Sequence, residues 1–173
     1  DMGSVMSKML SLPDPQLVRD LEAGAAYLRA LPNSNGRVGC IGFCSGGRQT
    51  LLFACSSRKV DAAIDCWGGF VTRASPDAVT TPQRPVPVID LIPQLACPVL
   101  FANGAEETNP SPEVVAQLEA AVKAAGKNAT FRMFAGAGHA FLADYRLQYR
   151  EKAAFELWPQ IIAFLNTHVA KPA

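Results

Sequence analysis

A cysteine stands between two glycines in the segment 42–47 (GFCSGG). The spacing matches a nucleophile elbow, G-x-S-x-G, with Cys44 in the serine position. Side chains flanking so sharp a strand-to-helix turn would collide with it, so we expect glycine to be required at Gly42 and Gly46. The helix that follows would favour a thiolate at Cys44 and aim the N–H of Ser45 at a developing oxyanion. The segment therefore predicts a nucleophilic cysteine.

Other interpretations of this segment are weaker. The glycines between positions 39 and 47 do not reproduce the dinucleotide-binding pattern G-x-G-x-x-G, and the P-loop lysine is absent. Cys40 and Cys44 are too far apart to form a metal pair, and no histidine is nearby in sequence. A plain strand-to-helix turn with a buried, inert cysteine remains the alternative.

A cysteine nucleophile needs a base, and the chain has two histidines. His139 follows a glycine-rich turn after the last predicted strand, at the edge of the sheet where α/β enzymes place their sites. His168 ends an amphipathic helix close to the end of the sequence, which is typical of a solvated residue. We expect His139 to be the base.

An acidic residue should orient the imidazole. The loop after the strand at 98–103 carries Glu106 and Glu107, and either could do so. Asp65, on a buried strand, and Asp144, on the histidine loop, are less favoured candidates. The order nucleophile, acid, histidine along the chain is the one that accompanies a nucleophile elbow.

Alternating helices and strands must position these residues. Pro13-Asp14-Pro15 predicts a helix start, with Asp14 as the cap and Pro15 in the first turn. Ser111 and Pro112 predict another. The predicted strands are 37–42, 60–66, 98–103 and 130–134, and the last should lie nearer a sheet edge. The predicted helices are 14–31, about 46–55 and 111–125. A final helix should run from the turn at 136–138 to about His168, with a kink or a restart at Pro159.

The segment 71–93 contains five prolines. Prolines at this density remove backbone donors, so a regular core element is not expected there. Long loops of this kind often shape binding sites, and we expect this one to contribute to the substrate site.

The order of these elements predicts an α/β fold with three layers: a mostly parallel sheet with helices on both faces. Residues 1–173 are predicted to form a single domain. Four strands are fewer than such a sheet normally has, so we expect N-terminal strands to lie upstream of this sequence.

Composition argues against two kinds of partner. The 173 residues include 16 basic and 15 acidic side chains, a balance that does not favour nucleic acid or an anionic membrane surface. No apolar run approaches the roughly 20 residues of a membrane-spanning helix. The five cysteines are scattered through apolar segments, which favours reduced thiols in the cytoplasm.

Taken together, these segments resemble the dienelactone hydrolase (carboxymethylenebutenolidase-like) family of the α/β-hydrolase superfamily. The resemblance rests on DLEAGAAYLRA, SNGRVGCIGFCSGG, CPVLFANGAEETNPSP and AGAGHAF, in that order. It covers nearly all of the chain and corresponds to about the last two thirds of a family member.

The resemblance implies a Cys44, Glu107, His139 triad that opens a small ester or lactone without a metal or an organic cofactor. Similar family members have aspartate where this chain has Glu107. A substrate-binding arginine soon after the family's histidine is replaced here by Leu142 and Ala143, with an arginine only at Arg146.

Further family features bear on the site and on the alternative function. The family's second oxyanion amide and an acidic neighbour of the thiol would lie upstream. We expect Phe43, Trp67 and Phe141 as apolar walls of the substrate site. The alternative function is a non-catalytic relative that binds small molecules or senses oxidants at Cys44.

Overall fold

The computed structural model describes residues 1–73 and 80–170. The helices within these ranges are α1 (Met2–Ser11), α2 (Asp14–Ala30), α3 (Ser45–Ser56), α4 (Pro112–Ala124) and α5 (Glu151–His168). The strands are β1 (Gly39–Phe43), β2 (Ala62–Cys66), β3 (Val99–Gly104) and β4 (Ala129–Phe134), and a 3₁₀ helix spans Val88–Gln94.

The four strands form one parallel sheet in the order β1-β2-β3-β4. Phe43 pairs with Cys66, Cys66 with Ala102, and Gly104 with Phe134, so the strands end near one another. The loops after β1, β3 and β4, which carry the candidate catalytic residues, therefore leave from the same edge of the sheet. The predicted parallel sheet is confirmed, and β4 lies at its edge as expected.

Helices cover both faces of the sheet. Every residue of β2 and β3 is buried, as expected for central parallel strands. Their side chains alternate between two apolar clusters. One cluster joins Ala63, Val99 and Phe101 to α2, α3 and α4, and the other joins Ile64, Leu100 and Ala102 to α5. The predicted three-layer α/β architecture is thus present.

Two helix starts were predicted from local sequence, and one was partly wrong. In α4, Ser111 caps the helix by accepting a hydrogen bond from the N–H of Val114 at 3.5 Å, as expected. In α2, Pro15 lies in the first turn, but the cap residue is Pro13 and Asp14 makes no capping bond. The carboxylate of Asp14 is buried and binds Arg48 instead. A charge-assisted pair with a buried arginine replaces the cap bond.

The proline-rich segment and the last helix also differ from expectation. Residues 74–79 lie outside the described residues. The 3₁₀ helix at the end of the segment is a regular core element, because Val88 and Ile92 are fully buried. Helix α5 begins at Glu151, after a series of turns, and it continues through Pro159. The residue one turn before that proline, Phe155, is exposed, so water can replace the missing backbone donor.

Candidate active site

The turn between β1 and α3 presents Cys44 to solvent. Cys44 has φ 56° and ψ −123°, an unfavourable backbone for a residue with a side chain, and its thiol is exposed. The first helical bond of α3 runs from the N–H of Arg48 to the carbonyl of Cys44 at 3.2 Å. The N–H groups of Ser45, Gly46 and Gly47 precede it, so they have no acceptor within the helix. This is the arrangement expected of an elbow followed by a helix N-terminus.

Close packing explains the glycines at Gly42 and Gly47 but not the one at Gly46. A Cβ at Gly42 would collide with the carbonyl of Gly46. At Gly46, by contrast, a Cβ would meet nothing within 4 Å, so the steric requirement expected there is absent. Gly47 has it instead, since a Cβ there would collide with Asp65 and would lie 2.9 Å from the carbonyl oxygen of Cys66.

Glu107 and His139 are hydrogen-bonded at the end of the sheet. The Glu107 Oε2 lies 2.7 Å from Nδ1 of His139, and the glutamate side chain is only 2% exposed. Its other oxygen, Oε1, accepts from the N–H groups of Thr108 at 2.9 Å and Asn109 at 3.1 Å. Both oxygens are therefore used, and the carboxylate is fixed against Nδ1. The other ring nitrogen, Nε2, remains for a second partner.

The other acidic candidates lie elsewhere. Glu106 and Asp144 are exposed. Asp65 is buried and accepts the N–H of Gly68 at 2.8 Å, and burial raises its pKa to about 7 although that hydrogen bond lowers it. Of the four carboxylates considered from the sequence, Glu107 is the one bonded to His139.

The second histidine lies away from this group. His168 is at the end of α5, where its ring packs against Phe164 with the centroids 4.6 Å apart. It is partly buried rather than fully solvated.

Cys44 and His139 line the same cavity of about 390 Å³, which we call the cysteine cavity. Its other walls are Phe43, Trp67, Ala140, Leu142, Ala143, Tyr145 and Arg146. Phe43 and Trp67, expected as walls, are both present. Trp67 also packs edge-on against His139, with ring centroids 6.4 Å apart.

Phe141 was expected as a wall and does not line the cavity. It is fully buried 4.8 Å behind the ring of Trp67 and 5.3 Å from that of Phe134, centroid to centroid. The reason is local: Ala140 has φ 61°, and the residue that follows this left-handed position enters the core.

Tyr145 and Arg146 line the cavity, although the sequence did not predict this. Tyr145 was not a candidate, and Arg146 was noted only as the first arginine after His139. The guanidinium of Arg146 lies 5.5 Å from the ring centre of Tyr145. Both are in the irregular loop before α5, where no periodicity indicates which side chains face a site. The described residues of the proline-rich segment 71–93, expected to help form the substrate site, do not line this cavity.

The remaining cysteines differ from Cys44 in environment. Cys55, Cys66 and Cys97 are buried and Cys40 is half-buried. Burial raises the pKa of all four thiols, to about 12 for Cys55 and Cys97. Thiols in such surroundings stay protonated and are poor nucleophiles.

In residues 1–73 and 80–170 no three His, Cys, Asp or Glu side chains are grouped so that they could hold a metal ion. No helix in the same part of the chain is long and apolar enough to cross a membrane.

Comparison with known proteins identifies the family. The model of the "Dienelactone hydrolase family" matches residues 1–169. The chain belongs to the dienelactone hydrolase family. A protein of Methylorubrum extorquens named "Putative carboxymethylenebutenolidase" is 33% identical over 93% of this chain and 54% of its own length. The chain spans between 54% and 62% of the length of the curated relatives it matches.

Solved structures agree with this assignment. A crystal structure entitled "Putative Dienelactone Hydrolase" from Klebsiella pneumoniae superposes with a TM-score of 0.83 at 29% identity, covering 91% of this chain and 63% of that one. Porphyromonas gingivalis dipeptidyl peptidase 4 gives a TM-score of 0.76 at 18% identity, over 91% of this chain and 23% of that one. The second likeness, at 18% identity, shows a shared fold alone.

Proposed function

We propose that this chain carries the catalytic residues of a hydrolase that opens a small ester or lactone, with Cys44 as the nucleophile, His139 as the base and Glu107 as the acid that orients it. The bond between the buried Glu107 and His139, beside the cavity that Cys44 also lines, is the observation that carries this proposal. Membership of the dienelactone hydrolase family supports it.

In the first half of the reaction, His139 takes the thiol proton and the Cys44 sulfur attacks the substrate carbonyl. The carbonyl oxygen gains the negative charge, and the N–H of Ser45, at the unpaired start of α3, donates to it. The tetrahedral intermediate then collapses to a thioester. The bond to the alcohol oxygen breaks, and the leaving oxygen takes the proton from His139.

In the second half, His139 accepts a proton from water as that water attacks the thioester carbonyl. Collapse of the new intermediate breaks the carbon–sulfur bond, releases the acid and regenerates the Cys44 thiol with the proton held by His139. Glu107 stabilises the imidazolium in both halves, because its Oε2 accepts from Nδ1 at 2.7 Å.

The cysteine cavity sets the substrate class. Its volume of about 390 Å³ is within the usual range for small-molecule sites. Phe43 and Trp67 supply apolar walls, and Phe141 supports Trp67 from behind. A small ester or lactone is therefore the proposed substrate. Relatives named as carboxymethylenebutenolidases favour the lactone.

Hydrolysis of a small activated ester by the protein tests the proposal. Cys44→Ala and His139→Ala should each lower kcat/KM by at least about a hundredfold, since each removes a group that takes part in bond making. Cys40→Ala and His168→Ala are matched controls: one changes a cysteine four residues away, the other the second histidine. A loss of kcat/KM in Cys40→Ala as large as that in Cys44→Ala, or in His168→Ala as large as that in His139→Ala, would contradict the assignment.

The same variants address the alternative function. Cys44 is the exposed thiol among the five cysteines, which would suit a sensor of oxidants or electrophiles. Slow ester turnover that is unchanged in both Cys44→Ala and His139→Ala, together with stoichiometric oxidation of Cys44 by peroxide, would favour sensing over hydrolysis.

A further inference from the structure

Asp65 carries a buried carboxyl group close to Cys44, and the proposed reaction does not use it. Asp65 lies in β2, is 2% exposed and pairs in the sheet with Gly42, two residues before Cys44. The side chains of a strand alternate between the faces of the sheet, and Ala63 packs in the apolar cluster that includes α3. The side chain of Asp65 therefore also points toward α3.

Two glycines leave the space that this carboxyl group occupies. Its Oδ1 accepts the N–H of Gly68 at 2.8 Å. A Cβ at Gly47, in the first turn of α3, would collide with the same oxygen, and so would a Cβ at Gly68. A Cβ at Gly68 would also collide with the backbone nitrogen of Arg48. The carboxyl group is thus enclosed between the first turn of α3 and the turn after β2.

The turn that Asp65 closes through its bond with Gly68 positions two parts of the candidate site. Within it, the carbonyl of Cys66 accepts the N–H of Cys44 at 3.0 Å. Trp67 lines the cysteine cavity and packs against His139. Its φ of 44° is a backbone conformation that costs free energy and persists where the surroundings hold it. The bond from Gly68 to Asp65 therefore supports both the backbone of the nucleophile and a wall of the cavity.

The charge of Asp65 matters because the start of α3 has to stabilise negative charge on the Cys44 sulfur and on the substrate oxygen. A carboxylate at Asp65 would oppose both. Adjacent strands lie about 5 Å apart and Cys44 is two residues past Gly42, so the carboxyl group is within roughly 10 Å of the thiol. At that distance, and at an effective dielectric constant of about 25 to 50, a unit charge disfavours the thiolate roughly three- to tenfold.

We propose that Asp65 is a positioning residue for Cys44: its neutral carboxyl group holds the turn after β2, and its ionisation makes Cys44 less reactive. This inference rests on the proposed role of Cys44 as the nucleophile. Burial raises the pKa of Asp65 to about 7, although the hydrogen bond from Gly68 lowers it. The carboxyl group is therefore neutral below about pH 7 and ionised above it, and Cys44 should lose reactivity as Asp65 ionises.

Other titratable groups lie on the elements packed around Asp65. They are Cys40 on β1, Cys44 directly after it, Arg48 on α3, Cys66 on β2 and Glu107 after β3. Arg48 is paired with Asp14, and Glu107 with His139. Burial raises the pKa of the Cys40 and Cys66 thiols, and the charge of Asp65 raises that of Cys66 further. All of these groups remain in Asp65→Asn, so a comparison with wild type isolates the charge of Asp65.

Alkylation of Cys44 by iodoacetamide tests the proposal without any ester hydrolysis, and tandem mass spectrometry assigns the label to Cys44 rather than to Cys40. Asp65→Asn keeps the shape of the side chain and an oxygen for the Gly68 N–H, but it carries no charge at any pH. Near pH 5.5 the two proteins should react at nearly the same rate. Near pH 8 Asp65→Asn should react roughly three- to tenfold faster than wild type, because only the wild type has gained the opposing charge. Asp20→Asn, which changes an exposed carboxylate on α2, is the matched control and should equal wild type at both pH values.

Ester hydrolysis and a second substitution complete the test. The kcat/KM of Asp65→Asn relative to wild type should rise over the same pH range, whereas Asp65→Ala, which removes the bond to Gly68, should lose about fivefold or more at every pH. Circular dichroism shows whether Asp65→Ala is folded, and if it is not, the comparison with Asp65→Asn decides the proposal. An alkylation ratio that stays constant between pH 5.5 and pH 8 would overturn it even if Cys44 and His139 are essential for hydrolysis. A rising ratio in a protein that hydrolyses no ester would support the role of Asp65 and contradict only the proposed hydrolase function.

Discussion

Replacing Glu107 by glutamine tests the orientation of His139 most sharply, because it changes one charge and leaves the shape nearly intact. In the wild type, Oε1 accepts two backbone N–H groups and Oε2 faces Nδ1 of His139. A glutamine carbonyl can replace only one of these oxygens. Turning the NH₂ group toward Thr108 and Asn109 would place donor against donor, so it must face His139. Nδ1 then has to accept, and the ring proton moves to Nε2.

The magnitude follows from that change. A hydrogen bond to a charged group contributes about 1.5–3 kcal/mol, and the wrong tautomer adds to its loss. We therefore expect kcat/KM to fall roughly 10²- to 10⁴-fold for Glu107→Gln. The measurement is hydrolysis of an activated ester, together with ¹⁵N chemical shifts of the His139 ring, which report the tautomer directly.

Glu106→Gln is the matched control for this experiment, because it makes the same chemical change at the adjacent, exposed position. Its kcat/KM should stay within about twofold of wild type, as is usual for exposed substitutions. Wild-type turnover in Glu107→Gln, or an equal loss in Glu106→Gln, would refute the reasoning.

Further predictions concern stability and folding. Burial raises the pKa of Asp65 to about 7, so between about pH 4 and pH 7 the folded state holds a proton that the unfolded state releases. The free energy of unfolding should therefore fall as pH rises through this range, by up to roughly 4 kcal/mol relative to Asp65→Asn. Urea unfolding of both proteins at each pH measures this, and parallel pH curves would contradict it. Arg48→Met leaves the Asp14 carboxylate buried without its partner and should lower the free energy of unfolding by about 3–5 kcal/mol, measured with denaturant. The double variant Arg48→Met/Asp14→Leu should recover much of that loss, and absence of recovery would argue against the ion pair as its cause. Gly42→Ala should destabilise by at least about 1–3 kcal/mol because its Cβ meets backbone, whereas Gly46→Ala should melt near wild type; the reverse order would contradict the packing described.

The sequence predicted the architecture well because its signals are local and periodic. The strands predicted at 60–66 and 98–103 are mostly apolar segments, and both correspond to central strands of the sheet. The helix predicted at 111–125 corresponds to α4, and Gly126, with φ 61°, follows its C-cap residue. Asp14 was misassigned because a capping pattern is local, whereas its actual partner, Arg48, is 34 residues away.

The candidate site was predictable in its members and less so in its surroundings. Motif spacing indicated Cys44 and His139. Position in the loop left Glu106 and Glu107 open, and the family resemblance favoured Glu107. The cavity walls depend on the irregular loop between β4 and α5, where φ at Ala140 decides that Phe141 enters the core. No pattern in the sequence carries that information.

A thioester on Cys44 would test the central claim directly. The protein is mixed with p-nitrophenyl acetate, quenched in acid on the millisecond scale, and analysed by peptide mass spectrometry. The account predicts one acetyl group on the peptide that contains Cys44, and neutral hydroxylamine should remove it. The acetylated peptide should accumulate in His139→Ala, because this reactive ester still acylates the cysteine while deacylation loses its base. Turnover without acetyl on Cys44, or label confined to another cysteine, would contradict it.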